Sequence, residues 1–481
     1  MSKTVKNYIN GAWVESKSSR KQPVLNPATG ETLAEVPLST AAEVDKAAQS
    51  AYDAFEEWRT TPPYTRARSM FKFKNLMEEN FEELSRLVVK ENGKTIDEAR
   101  GEVRRSIENV ELAAGIPQQM MGYNLEDVAQ GIDESALRQP VGVCAAINPF
   151  NFPAMVPLWF LPVGVACGNT FIVKPSPLTP LSQELVFKML AECDLPDGVV
   201  NMINGDEEAV NALLDHPLVR AISFVGSTRV AKLVYERGTH NGKRVQAQGG
   251  AKNHMVVMPD ADLTKSVGAI LGSAYGCAGQ RCLAGSVMVT VGSAHKPFVE
   301  ALVAGAAKLR VGNGLDETTQ MGPVITQQAL NRVCTYIERG QSEGAKLVLD
   351  GRSVSANDMG NFVGPTIFDS AQPGMSIMTD EIFGPVLTVV NVPDFEKAIE
   401  TVESSRYGNA ASIFTSNGRF ARDFKYRVHA GNIGVNIGVA APIATFPFGG
   451  MKDSFFGDLH GQGPDAINFF TDRKVVIERW F

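Results

Sequence analysis

The sequence predicts an α/β protein made of two doubly wound domains with a cleft between them. Three observations carry that reading. From about residue 141 short apolar strands alternate with helices: VGVCAAI, TFIVKP, GVVNMING, then RAISFVGS. This is how a parallel sheet covered by helices on both faces looks in sequence. From about residue 255 a second run of the same kind begins, with HMVVM, SVMVTVG, PVLTVVNV, AASIFT and GNIGVNIG. The chain has 481 residues, room for about three domains of roughly 150 residues each.

Before the first of these runs, residues 40–115 are charged and helical. Apolar positions recur at helical spacing through FKFKNLMEENFEELSRLVVKENGKTIDEA. The segment ESALRQP and the tail DAINFFTDRKVVIERWF read as strand material outside the two main sheets. A tail with so many large apolar residues is expected to pack against another subunit, which predicts a homo-oligomer.

Composition removes several classes of function. Hydrophobic residues make up 44% and charged residues 21%, as in a globular protein with a large core. A net charge of −7 argues against broad contact with nucleic acid or an anionic membrane. Six cysteines in this length do not make a disulfide scaffold. The start MSKTVKNYINGAWVES lacks the apolar core of a signal peptide, and AMVPLWFLPVGVACG is too short and too broken to span a bilayer. The expectation is a reducing, cytoplasmic location.

In doubly wound sheets ligands lie beyond the carboxyl ends of the strands, so the residues there come first. Lys174 ends TFIVKP and suits a ribose hydroxyl or a phosphate, or it is a solvated strand end. Ser227 and Thr228 follow AISFVG where a helix begins, and Gly226 would let a phosphate approach free N–H groups. Ser227 reads equally as a plain helix cap. The turn INPFNFP holds two asparagines, whose amides serve either an oxyanion or the turn itself.

The stretch GCAGQRCLAG at residues 276–285 holds Cys277 and Cys282 among glycines. No matching pair follows and the six histidines are scattered, so a zinc set is not indicated. Packing accounts for Cys144, Cys167 and Cys334. It suits Cys282 poorly: that residue lies in a loop after Gly-Gln-Arg and before a strand. Arg281 beside it would favour a thiolate able to attack a carbonyl carbon.

With these residues in place, the chain resembles the aldehyde dehydrogenase superfamily over nearly its whole length. The signatures NPFNFP, VKPS, FVGST, AGQRC, EIFGPV and FPFGGMKDS occur in the family order. The resemblance implies an aldehyde dehydrogenase-like fold with a small β oligomerisation flap. Residues 1–119 and 139–247 would bind NAD, 248–462 would be catalytic, and 120–138 with 463–481 would mediate oligomerisation as a dimer of dimers. It implies Cys282 as nucleophile, with Asn151 and the Cys282 N–H as oxyanion hole. It implies Lys174 on the adenosine ribose, Ser227 on the pyrophosphate, Glu381 on the nicotinamide ribose, Phe383 near the nicotinamide, and Phe150 lining the cofactor channel.

Three departures from the family pattern carry information. Where hydrolytic members have Glu-Leu-Gly-Gly-Lys, this chain has Gln248-Gly249-Gly250-Ala251-Lys252. An amide cannot take a proton at neutral pH, so Gln248 cannot activate water. That substitution, with GAKNH, EVRRSIENVELAAG and NIGVAAPIATFPFGGMKDSFFGDLHGQG, is similar to the CoA-acylating branch typified by methylmalonate-semialdehyde dehydrogenase. The branch implies Arg105 and Arg281 on a substrate carboxylate, coenzyme A as co-substrate, and release of propionyl-CoA or acetyl-CoA with CO2 from methylmalonate or malonate semialdehyde. Without the resemblance Arg105 reads as a solvated helix arginine. Second, Pro177 and Leu178 stand where a carboxylate would select the 2′-hydroxyl of NAD, which leaves NADP use open. Third, Gly249 could meet the nicotinamide only through its backbone. The rival expectations are a hydrolytic dehydrogenase with another base, and a silent protein of the same fold.

Overall fold

The computed structural model describes residues 3–354 and 360–481. Its two main sheets follow the two runs of strands. In the first, five parallel strands lie in the order Val200–Met202, Thr170–Lys174, Val143–Ile147, Val219–Val225 and Arg244–Gln248. Antiparallel pieces extend both edges: Asn7–Ile9 with Ala12–Val14 on one side, Phe455–Phe456 on the other. Val143–Ile147 and Thr170–Lys174 are buried at every position, as strands covered on both faces must be. The chain moves outward from Val143–Ile147 and then returns to Val219–Val225 on its other side. The crevice therefore opens where the loops after these two strands diverge, and those loops carry Asn151 and Ser227.

The second sheet runs Lys346–Leu349, Thr366–Asp369, Val386–Val392, Gly285–Val291, Asn253–Val257, Ala410–Phe414, Asn432–Val435. All its pairings are parallel except the first. A third, antiparallel sheet joins Tyr123–Ala129, Ile132–Pro140 and Thr471–Arg479, and exposes Tyr123, Leu125, Val475 and Ile477.

One expectation is corrected in the tail. Only its second half is a strand. Gly463–Phe469 is a helix, with a proline in its first turn, where that residue suits a helix start, and Ala466, Ile467 and Phe469 buried. The helical reading of residues 40–115 corresponds to Ala41–Thr60, Pro63–Glu79, Phe81–Asn92 and Ile96–Ala114. The last helix matters most for the site. Thr95 and Glu98 form a capping box at its start, and Ile96, Ala99, Val103, Ile107 and Val110 bury one face.

Candidate active site

The Cys282 loop does not follow a strand; it precedes one. Asn253, Cys282, Glu381 and Asn409 all lie at or just before the amino ends of strands in the second sheet. That edge faces the carboxyl ends of the first sheet, so the cleft draws on both. Cys282 sits in a turn closed by the Ala284 N–H on the Arg281 carbonyl (3.1 Å). The Cys282 carbonyl accepts from the side-chain amides of Asn253 and Asn409, both at 2.8 Å. Two asparagines from neighbouring strands thus fix the backbone that carries the thiol.

Upstream, Cys277, Ala278 and Gly279 all have left-handed backbone, with φ of 51°, 52° and 72°. A non-glycine residue pays about 1–2 kcal/mol for that conformation. Glycine is required at 279, where a Cβ would stand 2.2 Å from the Gly384 carbonyl oxygen. The turn is held on both sides. Cys277 donates its N–H to Glu98 Oε1 (2.6 Å). Gln280 donates its amide to the Cys277 carbonyl (3.2 Å) and accepts the Ile325 N–H (3.0 Å).

Asn151 donates its amide to the Gln280 carbonyl at 3.0 Å, across the cleft. One amide hydrogen remains for another acceptor. The Asn151 backbone is set by a buried ion pair: Lys94 Nζ lies 2.5 Å from Glu102 Oε2 and donates to the Asn151 carbonyl at 2.7 Å. Glu102 Oε1 accepts the N–H groups of Ala154 and Met155 (2.8 and 3.1 Å).

Arg105 and Arg281 border one chamber with Cys282 and Asn151, a cavity of about 280 Å³ with apolar walls that include Phe152, Trp159 and Phe448. Both guanidiniums keep unused donors. Arg105 meets Glu108 through Nη1 (3.0 Å). Arg281 Nη2 donates to the carbonyls of Gly272 and Ser273, while its buried Nε has no partner among the described residues. Trp159 Nε1 is orphaned in the same way. Buried donors without partners cost about 1–3 kcal/mol each.

The Arg281 charge favours the Cys282 thiolate, as expected, but burial outweighs it. Burial pushes the Cys282 thiol up to about 12, and the Glu381 charge adds to this. Asn409, the Cys282 N–H and Arg281 oppose it without prevailing. The Arg281 guanidinium donates to the carbonyls of Gly272 and Ser273 at the end of the preceding helix.

Gln248 ends Arg244–Gln248 and is buried. Its amide donates to the Phe448 carbonyl at 3.2 Å, and its Oε1 has no partner among the described residues.

A second cavity, about 510 Å³, is lined by Ser227, Thr228, Glu381, Arg229, Arg332 and Arg406, among others. Its residues fit a dinucleotide. Ser227 caps the helix Thr228–His240 without a side-chain capping bond, leaving the hydroxyl and the helix N–H groups for an anion. Glu381 Oε1 accepts the Ala251 N–H (2.9 Å), and burial pushes its carboxyl up to about 7 against that bond. A Cβ at Gly250 would lie 2.3 Å from Glu381 Oε2, so a larger residue there would push that carboxylate aside. Gly249 gives its N–H to Ser454 (2.9 Å), which leaves its carbonyl for contact. Phe150 and Phe383 meet edge to face, 5.8 Å between centroids. Lys174 does not border this cavity. It is buried rather than solvated, donates to the carbonyls of Pro175 and Gly205 (2.8 and 3.0 Å), and is lowered by burial to about 8. One of its three donors remains.

Residues 13–476 match the aldehyde dehydrogenase family. The chain belongs to that family. It is 51% identical over 478 residues to malonate-semialdehyde dehydrogenase 2 of Geobacillus kaustophilus, covering 99% of both chains. It is 48% identical over 476 residues to the malonate-semialdehyde dehydrogenase of Halalkalibacterium halodurans, covering 99% of this chain and 98% of the other. Among solved structures, methylmalonate-semialdehyde dehydrogenase from Oceanimonas doudoroffii superposes with a TM-score of 0.98 at 46% identity, over 99% of this chain and 98% of that one. An NAD complex from Sinorhizobium meliloti 1021, provisionally named a methylmalonate-semialdehyde dehydrogenase, gives 0.98 at 43% identity, over 100% and 98%.

Within this aldehyde dehydrogenase the sequence reading missed the residues that hold the others. Asn253 was visible only as part of GAKNH, and Asn409 stands as a lone asparagine before a strand. Lys94, Glu98 and Glu102 went unnoticed among the charges of residues 40–115, and only the fold brings them to the site.

Proposed function

We propose that this aldehyde dehydrogenase oxidises malonate or methylmalonate semialdehyde with NAD and transfers the acyl group to coenzyme A, with loss of CO2. The carrying observation is the amide of Gln248, bonded to the Phe448 carbonyl and unable to act as a base. The names of its relatives support the substrate, and the NAD complex of a relative supports the cofactor.

The substrate carboxylate docks between Arg105 and Arg281, whose unused donors suit it. The Cys282 thiol gives its proton to solvent as its sulfur bonds to the aldehyde carbon, and the carbonyl π electrons move onto oxygen. The new oxyanion takes the second amide hydrogen of Asn151 and the Cys282 N–H. NAD, when bound, supplies the two-electron acceptor for the hydride, with Glu381, Phe383 and Phe150 holding its nicotinamide end. Ser227 and Lys174 would hold its pyrophosphate and adenosine ribose, and the Gly249 carbonyl would face the nicotinamide. The acyl group then sits on Cys282 as a thioester. Its carbonyl accepts the electron pair freed as CO2 departs, and the enolate takes a proton from solvent. With an amide at Gln248 in place of a base that could activate water, the thioester waits for a thiol. Coenzyme A, with a free-thiol pKa of about 8.5, needs less help than water. Its sulfur displaces Cys282 and releases acetyl-CoA or propionyl-CoA.

The third sheet serves a homo-oligomer in this reading, through the exposed apolar side chains of Tyr123–Ala129 and Thr471–Arg479. The domain assignment 1–119 with 139–247, 248–462, and 120–138 with 463–481 belongs to the same proposal, as does a cytoplasmic location. Among the described residues no helix is long and apolar enough to cross a membrane.

The test is product identification by mass spectrometry after turnover of either semialdehyde with NAD and CoA. Acetyl-CoA or propionyl-CoA is expected. Free acid alone would assign the enzyme to the hydrolytic class, and no NADH at all would make it a silent member of the family.

A further inference from the structure

The helix Ile96–Ala114 presents Glu98, Glu102, Arg105 and Asn109 along one stripe, and all four border the reaction chamber. Three of them act on different parts of the site. Glu102 holds the Asn151 loop and Arg105 faces the substrate end. Glu98 reaches into the other sheet's domain and accepts the Cys277 N–H at 2.6 Å. Its second oxygen accepts the Thr95 N–H at 3.0 Å, which fixes the carboxylate on the first turn of its own helix.

The residue that Glu98 grips is strained. Cys277 and Ala278 are consecutive non-glycine residues in left-handed backbone. Such conformations persist only where the surroundings over-determine them, and they gather at functional sites. The turn leads directly into Gln280, whose carbonyl receives the Asn151 amide, and then into Cys282. If the turn relaxed, the Gln280 carbonyl would leave Asn151 and the thiol would shift relative to the oxyanion donors.

We infer that Glu98 is a positioning residue: its carboxylate holds the left-handed turn at residues 277–279 and so sets Cys282 against Asn151. The same helix carries the two loops and one substrate arginine, so it fixes the spacing of nucleophile, oxyanion donor and carboxylate anchor together. The inference rests on Cys282 as nucleophile, which Cys282→Ala tests separately by abolishing NADH formation.

A double-mutant cycle distinguishes positioning from a general structural role or a direct contact of Glu98 with substrate. Glycine adopts the left-handed conformation without strain. Glu98→Ala in the native background is expected to lower kcat about tenfold or more, with NAD affinity by fluorescence titration changed less than about twofold. In a Cys277→Gly, Ala278→Gly background the same substitution is expected to cost less than about threefold, because the turn no longer needs holding. Equal losses in the two backgrounds, or a loss confined to KM for the semialdehyde, would overturn the inference. If Glu98→Ala does not fold, Glu98→Gln replaces it in the same cycle, with a smaller loss expected in the native background and the same relief by glycine. Equal Glu98→Gln losses in both backgrounds overturn the inference as well.

Discussion

Gln248 gives its amide to the Phe448 carbonyl at 3.2 Å, and its own oxygen has no partner among the described residues. The position where a hydrolytic relative would place a carboxylate is thus turned to a backbone oxygen, behind the aromatic wall of the chamber. A carboxylate put there would face that carbonyl oxygen.

It follows that Gln248→Glu alone does not make a hydrolase. A buried carboxyl with no positive partner is held neutral, and a neutral acid is no base. Free-acid release without CoA should stay within about tenfold of the native rate, since removing the amide adds no working base. Acid release as fast as NADH formation would show that the side chain swings into the chamber.

Arg105 and Arg281 should govern substrates that carry a carboxylate and spare those that do not. Replacing either by methionine should lower kcat/KM for the semialdehydes by about a hundredfold, the scale of losing one partner of a desolvated charge pair. Propanal, without a carboxylate, should change by less than about threefold. A comparison of the two substrates on the same variants reads this directly.

The thiol should titrate late. Burial and the Glu381 charge hold Cys282 up at about 12, so at neutral pH the thiolate is a small fraction that grows as pH rises. Inactivation by iodoacetamide in the absence of NAD should therefore accelerate about tenfold per pH unit from pH 7 to 9. A plateau below pH 8 would mean that the thiolate is already formed.

Lys94→Met removes the partner of a fully buried carboxylate. Breaking such a pair costs about 3–5 kcal/mol. Urea unfolding should register that loss, and the Asn151 loop should loosen with it.

Much of the fold was legible in the sequence because the central strands of both sheets are parallel and buried, so they appear as continuous apolar runs. The tail was misread at residues 463–469 because Phe469 and Phe470 look like strand residues, while a proline in the first turn starts a helix. The residue types and settings of Cys282 and Asn151 drew attention to them directly, whereas Glu381 and Gln248 stood out only through the family resemblance. The electrostatics were not legible. Arg281 is adjacent to Cys282 in sequence, yet its guanidinium donates to the Gly272 and Ser273 carbonyls, and desolvation outweighs its charge. Glu98 was invisible for the opposite reason: its partner, Cys277, lies 179 positions away.

The central claim is that the acyl-enzyme on Cys282 cannot pass its acyl group to water. Rapid mixing of the enzyme with NAD and malonate semialdehyde, with and without CoA, tests it most directly. The account predicts a burst of NADH of about one equivalent per active site followed by a near-stall without CoA, and sustained turnover with it. Steady turnover at the same rate in both would contradict it, since some group in the chamber would then be activating water.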